Sequence, residues 1–323
     1  MRRTHSPGTL TPRSITKVLS CVGWAWVFLC LQTLAAPERS LAAEVAILKS
    51  ADLPAYNQAV VGIKAALPPA TTFTEYDMKG DIARGQNHTR KIQASDASLL
   101  LAVGVKAALV AKQEIVGIPV VFCMVLDSAK HDLKAPNVTG IRLEIPISRQ
   151  FGALRAVLPS VKRLGVLYDP DKTGELVEEG RLQARAMGVE VVARRVSSEK
   201  DVPSALGALI PDIDALWLVP DGTVVTGDSL KFLMSTALNA NVPVLGFSSE
   251  LVRNGALVGL SVHYEDVGRQ AGMLARKILL ERYQPNSTTF PPDRFRLAVN
   301  LKTAKFLGIV IPPAVVSSAD ELY

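Results

Sequence analysis

Short apolar runs alternate with stretches of helical spacing along this chain, and the alternation starts twice, which restricts the fold more than any other property of the sequence. In the first series the runs fall at residues 45–48, 99–103 and 120–126, separated by segments such as 56–67 whose apolar residues recur every three or four positions. A run that is apolar at every residue suits a parallel strand buried on both faces, and the segments between suit crossover helices. Pro119 stands just before the third run, where a proline opens a strand without removing a ladder hydrogen bond.

The second series has strand-like runs at 164–168, 189–192, 216–219, 244–247 and 257–262, with helical stretches at 174–187, 202–209 and 229–239. Two such series predict an α/β fold of two doubly wound parallel-sheet lobes joined by a hinge. The first lobe is expected over 44–141, with the helix in 265–283 returning to it. The second is expected over 142–264, with 284–323 packing on it. A strand-like piece near 137–143 should cross between them, leaving a cleft beneath the hinge.

Residues 1–43 have a different character. Arg2, Arg3, Arg13 and Lys17 precede an almost wholly apolar stretch at 18–36, and Ser40-Leu41-Ala42-Ala43 supplies small side chains for cleavage. That is the layout of an export signal. An uncleaved anchor is the competing reading, because the apolar stretch approaches the roughly 20 residues that span a bilayer. Five of the 36 basic and one of the 30 acidic residues lie in this leader, so the rest carries a net charge of only +2. No basic excess is left to meet a phosphate backbone, and nucleic acid is not expected as a partner. Cys123 is the single cysteine beyond the leader, so no internal disulfide is expected, and its apolar surroundings predict a buried thiol.

The usual catalytic and cofactor motifs are missing. Leu48-Lys49-Ser50-Ala51-Asp52 follows the first strand without the G-x-G-x-x-G of a dinucleotide site, and no G-x-x-x-x-G-K-[ST] occurs. His88, His131 and His263 have no metal-ligand spacing. Gly246-Phe247-Ser248-Ser249-Glu250 approaches a nucleophile elbow but lacks its second glycine. No cofactor, metal or catalytic residue is expected, and reversible binding is favoured over an exported serine hydrolase.

Several pieces together resemble one family. They are Asn137-Val138-Thr139-Gly140-Ile141, Leu164-Gly165-Val166-Leu167-Tyr168-Asp169-Pro170, the stretch ALWLVPD ending at Asp221, GALVGLSVHY ending at Tyr264 with Val267-Gly268-Arg269-Gln270-Ala271, and NLKTAKFLGIVIPP from Asn300. In that order they are similar to the tryptophan/tyrosine-type substrate-binding proteins of ABC transporters, which have the type I periplasmic binding protein fold. The chain departs from that family at Leu67-Pro68-Pro69-Ala70-Thr71, where the family tends to be longer. The resemblance implies a monomeric, non-enzymatic protein of the bacterial periplasm, tethered to the membrane if the leader is not cut. It would capture a small molecule by hinge closure and deliver it to an ABC permease. A sensory module serving a membrane receptor is the alternative.

Open α/β sheets bind ligands at the carboxyl ends of their strands. In the first lobe this selects Ser50, Ala51, Asp52, Gly104, Val105 and Asp127; in the second it selects Tyr168, Asp169, Asp221, Phe247 and Ser248, with Tyr264 at the junction. Ser50 or Asp52, before a helix opening near Pro54, either helps receive a ligand carboxylate or caps that helix. Gly104 either admits ligand close to the backbone or makes a turn. Asp221 is a partner for a ligand ammonium group or the head of an Asx-turn, and Asp169 is open between the same roles. Tyr56, Tyr168, Phe247 and Tyr264 are pocket walls or core, and Trp217 is expected in the core. These residue types favour an amino acid or related amphiphile, while a sugar site would commonly stack its ring on tryptophan.

Overall fold

The computed structural model describes Met1 and residues 43–126 and 130–323. The export-signal reading therefore lies almost wholly outside the described residues, and so does Asp127. Residues from Ala43 to Tyr323 form one compact unit.

The first half runs β1 (Glu44–Lys49), α1 (Pro54–Ala66), β2 (Thr72–Asp77), α2 (Ile82–Gln93), β3 (Leu99–Val103), α3 (Val105–Glu114), β4 (Val120–Val125) and β5 (Val138–Arg142). Leu67–Thr71 is the tight turn between α1 and β2, closed by Thr71 N–H donating to Pro68 O at 2.9 Å. Then follow α4 (Ile147–Val157), β6 (Arg163–Tyr168), α5 (Pro170–Ala186), β7 (Glu190–Arg195), α6 (Val202–Leu209), β8 (Ala215–Trp217), α7 (Gly227–Asn239), β9 (Val244–Gly246), α8 (Ser249–Arg253) and β10 (Val258–Ser261). The chain ends with α9 (Tyr264–Glu281), β11 (Thr289–Phe290), β12 (Arg296–Val299), α10 (Leu301–Phe306), α11 (Pro313–Ser318) and β13 (Glu321–Leu322).

These strands make two sheets. One has the order β11-β5-β4-β3-β1-β2 and is parallel throughout; the other has the order β13-β12-β10-β9-β8-β6-β7 and is parallel except for the β10–β12 pair. The terminal segment divides between them, since β11 joins the first sheet beside β5 and β12 and β13 join the second.

The all-apolar strands are explained by two-sided burial. Val45, Ile47, Leu99, Leu101, Val121 and Cys123 face one layer, made with α1 and α9, while Ala46, Leu48, Leu100, Ala102, Val120 and Phe122 face the layer made with α2 and α3. Side chains alternate across a strand, so both sets must be apolar. The second sheet repeats the scheme. Leu164, Val166 and Trp217 pack with Phe151 and Leu154 of α4, and Leu167, Leu216 and Val244 face α6, α7 and α8. Trp217 is 1% exposed, meets Phe151 edge to face at 4.9 Å and is core. Cys123 is fully buried, and burial pushes its thiol up to about 12.

Candidate functional site in the interlobe cleft

Three segments pass between the sheets: residues 143–146 after β5, 262–263 after β10 and 291–295 after β11. Each leaves its parallel sheet at the carboxyl edge. The carboxyl edges of both sheets therefore turn toward the junction, and α1, α3, α5 and α8 begin there with their N-terminal N–H groups, the positive ends of their dipoles. The first two turns of α9 fasten the third of these crossings. Gln270 Nε2 donates to Pro291 O at 3.0 Å while its Oε1 accepts from Asp293 N at 2.9 Å, and Arg269 reaches both Asp293 oxygens at 3.2 Å. Asp266 faces Arg269 and Arg294, each at 3.5 Å.

On the first lobe, Ser50 is 5% exposed. Its Oγ accepts from Ala107 N at 2.9 Å, so it caps α3 rather than the adjacent α1. Asp52 is exposed and does not cap α1 either; it accepts from Asn57 Nδ2 at 2.8 Å and stands 3.6 Å from Lys49 Nζ. Those contacts, the Asn57 hydrogen bond first, hold its carboxyl below the ordinary value. Ala51 is half-buried between them, and Val105 opens α3. Gly104 has φ +92°, and a Cβ there would lie 2.7 Å from both Ser50 Oγ and the Tyr56 hydroxyl. The close approach that only glycine permits is thus already used by Tyr56 and Ser50.

On the second lobe, Asp221 is 1% exposed and turns back into the protein. One oxygen accepts from Asp169 N at 2.8 Å and from the Thr173 hydroxyl; the other accepts from Thr223 N at 2.8 Å and Val224 N at 3.3 Å. This is the Asx-turn arrangement, extended to tie the β6 and β8 ends together. Asp169 caps α5 through Asp171 N at 3.1 Å and accepts from Thr223 Oγ1 at 2.7 Å, and Thr223 in turn receives Lys172 Nζ. The Thr223 hydrogen bond chiefly, then the Asp171 N–H, hold the Asp169 carboxyl below its ordinary value.

A depressed carboxylate pKa adds stability that is present above the unfolded value near 3.9 and is lost as pH falls through the folded one. Thr223→Val should therefore raise the Asp169 pKa toward 3.9 and shrink its share of the acid-induced loss of stability. A carboxyl NMR titration of both proteins checks this, and an unmoved Asp169 would exclude Thr223 as the principal cause.

Tyr168 is 4% exposed and belongs to the core, with Arg195 Nε donating to its hydroxyl at 3.3 Å. Phe247 is half-buried, and Ser248 caps the short α8 by accepting from Leu251 N at 3.3 Å. Tyr264 is 37% exposed at the start of α9. Helices α1 and α9 run parallel, with Ala59 against Gly268 and Ile63 against Gly272, so Tyr56 and Tyr264 share the junction end of the pair. Strand-end reasoning passed over Thr173 and Lys172, whose involvement depends on contacts far apart in sequence. It passed over Lys130 as well, whose Nζ donates across the lobes to Lys172 O at 2.7 Å.

The strand ends that meet at the junction thus carry polar side chains, with Tyr56 and Tyr264 beside them. Among the described residues no cluster of His, Cys, Asp and Glu could hold a metal ion, and no helix is long and apolar enough to cross a membrane. A groove of about 530 Å³ lined by Leu230, Met234, Leu238 and Asn254 runs along α7, away from the strand ends.

Known proteins share this architecture. A tyrosine-binding protein of Clostridioides difficile is 24% identical over 239 residues, 72% of this chain and 69% of its own length. A Streptococcus pneumonia ABC domain solved with L-Trp superposes with a TM-score of 0.58 at 22% identity, covering 87% of this chain and 99% of that one. A ligand-free, open substrate-binding protein with adhesive properties from Clostridium difficile gives 0.74 at 21% identity, covering 86% and 98%. These likenesses establish the two-lobed type I periplasmic binding fold. The profile of ABC transporter substrate binding proteins matches residues 44–323, the whole of the two-lobed unit, and the chain belongs to that family.

Proposed function

We propose that this protein captures an amino acid or related amphiphile between its lobes outside the cytoplasmic membrane and presents it to an ABC permease. The observation that carries this reading is the junction itself: the carboxyl edges of two sheets, with the N-terminal ends of the helices that follow them, joined by three crossings that act as a hinge. Ligand contacts from both lobes favour the closed state over the open one, which gives a permease a loaded form to recognise. The relatives that bind tyrosine and L-Trp support the ligand class. Export through residues 1–43 belongs to the same reading. Catalysis does not, since the family is one of substrate binding proteins.

Thermal unfolding in the presence of amino acids, sugars, nucleosides and oxyanions tests it, with L-tryptophan and L-tyrosine as first probes. At a hundredfold excess over Kd a ligand stabilises by about 2.7 kcal/mol, so a cognate amino acid should raise the midpoint by roughly 5–10 °C. A rise with sugars alone would overturn the amino-acid assignment.

A further inference from the structure

We propose that the outer edge of β7 pairs antiparallel with the same edge of a second copy of this chain, about a two-fold axis at Val192, with Glu190 of each copy opposite Arg194 of the other. The pairing is independent of the ligand reading, and it replaces the monomer that the family resemblance implies.

Strand β7 ends its sheet, hydrogen bonded to β6 alone. Glu190 N donates to Lys162 O at 2.7 Å and Val196 N to Tyr168 O at 2.9 Å, so the even-numbered residues turn their backbone groups toward β6. Bond direction alternates along a strand, which leaves the N–H and C=O groups of Val191, Ala193 and Arg195 on the outer edge. Val192, Ala193 and Arg194 are half-buried, Glu190 and Arg195 are exposed, and no described strand lies beyond them. A row of unpaired backbone groups of this kind is a template for another strand.

Residues 190–195 read EVVARR, and the alternation restricts how this strand meets a copy of itself. Outward residues must face outward residues, so a two-fold axis that overlaps most of the strand passes through either Val192 or Ala193. The axis at Val192 makes Val191 and Ala193 exchange hydrogen bonds in both directions. It also sets Glu190 directly opposite Arg194 on both sides of the axis, in the pairs whose side chains lie closest. The axis at Ala193 puts both arginines opposite valines and Glu190 opposite the buried Val196, so charge selects the first register. Arg194 stands 3.3 Å from Asp212 with 42% of its side chain exposed, and its guanidinium keeps donors for a second carboxylate.

Helix α5 repeats the pattern on the other face of the strand. Arg195 is turned onto the Tyr168 hydroxyl, which together with the nearby Glu178 keeps its pKa above the ordinary value. Arg181 borders Val191, toward the other end of the strand. The same axis therefore brings Arg181 of each copy toward Glu178 of the other. Strands β10 and β12, which carry two of the crossings, lie away from β7 in the sheet order, so the pairing leaves the hinge free.

Sedimentation velocity of the full chain and of its compact unit 43–323 tests the pairing. Both should show a concentration-dependent equilibrium of monomer and dimer. Glu190→Arg and Arg194→Glu should each weaken the dimer by at least about tenfold, because the symmetry makes every opposed like-charge pair count twice. The combined variant should recover the affinity of the unaltered protein. Ala193→Pro should abolish the dimer, since the Ala193 N–H faces away from β6 and proline there removes no bond of the chain's own sheet. Thermal unfolding at low concentration, where the monomer prevails, shows that each variant is folded. The proposal is overturned if the compact unit stays monomeric up to about 1 mM, even if the edge then takes up a foreign extended peptide. It is overturned equally if the single charge reversals leave the dimer as strong as before, or if the combined variant fails to recover it.

Discussion

Gly268→Ala is expected to lower the unfolding midpoint by about 6–12 °C, on the basis of roughly 3 kcal/mol of overpacking in a protein of this size. A Cβ at residue 268 would stand 1.9 Å from the carbonyl oxygen of Ala59, with the next two nearest atoms also backbone, so no rotamer can yield. The contact is repeated along the helix pair: Gly62 is as close to the carbonyl of Glu265, and Gly272 would bring a Cβ within 2.6 Å of the carbonyl of Ile63. Small residues let α1 and α9 touch backbone to backbone, with Val60, Ile63, Val267 and Leu274 buried around the seam. An added methyl must push the helices apart and open that layer. Helix α9 begins directly after the second crossing and carries Asp266 and Arg269, so the shift also reaches the hinge. Gly152→Ala is the control. It lies exposed inside α4 with open space at its Cβ, and alanine there should stabilise by up to about 1 kcal/mol. If Gly268→Ala melts no lower than the unaltered protein, the close-contact account of this helix pair is wrong.

Strands β1, β3 and β4 were legible because a strand covered on both faces must be apolar at every position. The neighbouring β2 and α2 were not. Thr72–Asp77 is an edge strand with partly exposed faces, and Ile82–Gln93 is mostly polar, started by Asp81 accepting from Ala83 N at 2.8 Å rather than by an apolar stripe. The strands β11 and β13 have two residues each and carry no period to read. At the site, the strand-end rule names positions and cannot read the orientation of their side chains. Ser50 looks toward α1 because Pro54 is near in sequence, yet its hydroxyl serves α3, 57 residues away. Tyr56 was legible only as an aromatic, since its place against Gly104 exists only after β1 and β3 have paired. The spacing Gly268-x-x-x-Gly272 was a visible signal for close helix packing that went unread.

Asp221→Ala is expected to cost about 3–5 kcal/mol and to lower the midpoint by about 10 °C or more, before any ligand is added. The carboxylate is 1% exposed and gathers four donors: the backbone N–H groups of Asp169, Thr223 and Val224, and the Thr173 hydroxyl. Alanine leaves these donors without an acceptor in a space too enclosed for free solvation, and it unties the β6 end from the loop after β8. Asp221→Asn separates this bracing role from the ligand role that its strand-end position invites. An amide keeps the size and one acceptor oxygen but places its NH2 against donors, so bracing requires that the ligand-free midpoint fall, by less than in Asp221→Ala. If Asp221 instead served as the counter-charge of a ligand ammonium, the ligand-free midpoint of Asp221→Asn would stay unchanged, and only the shift produced by an amine-bearing ligand would disappear. With both oxygens engaged by protein donors, the first result is the one the geometry requires.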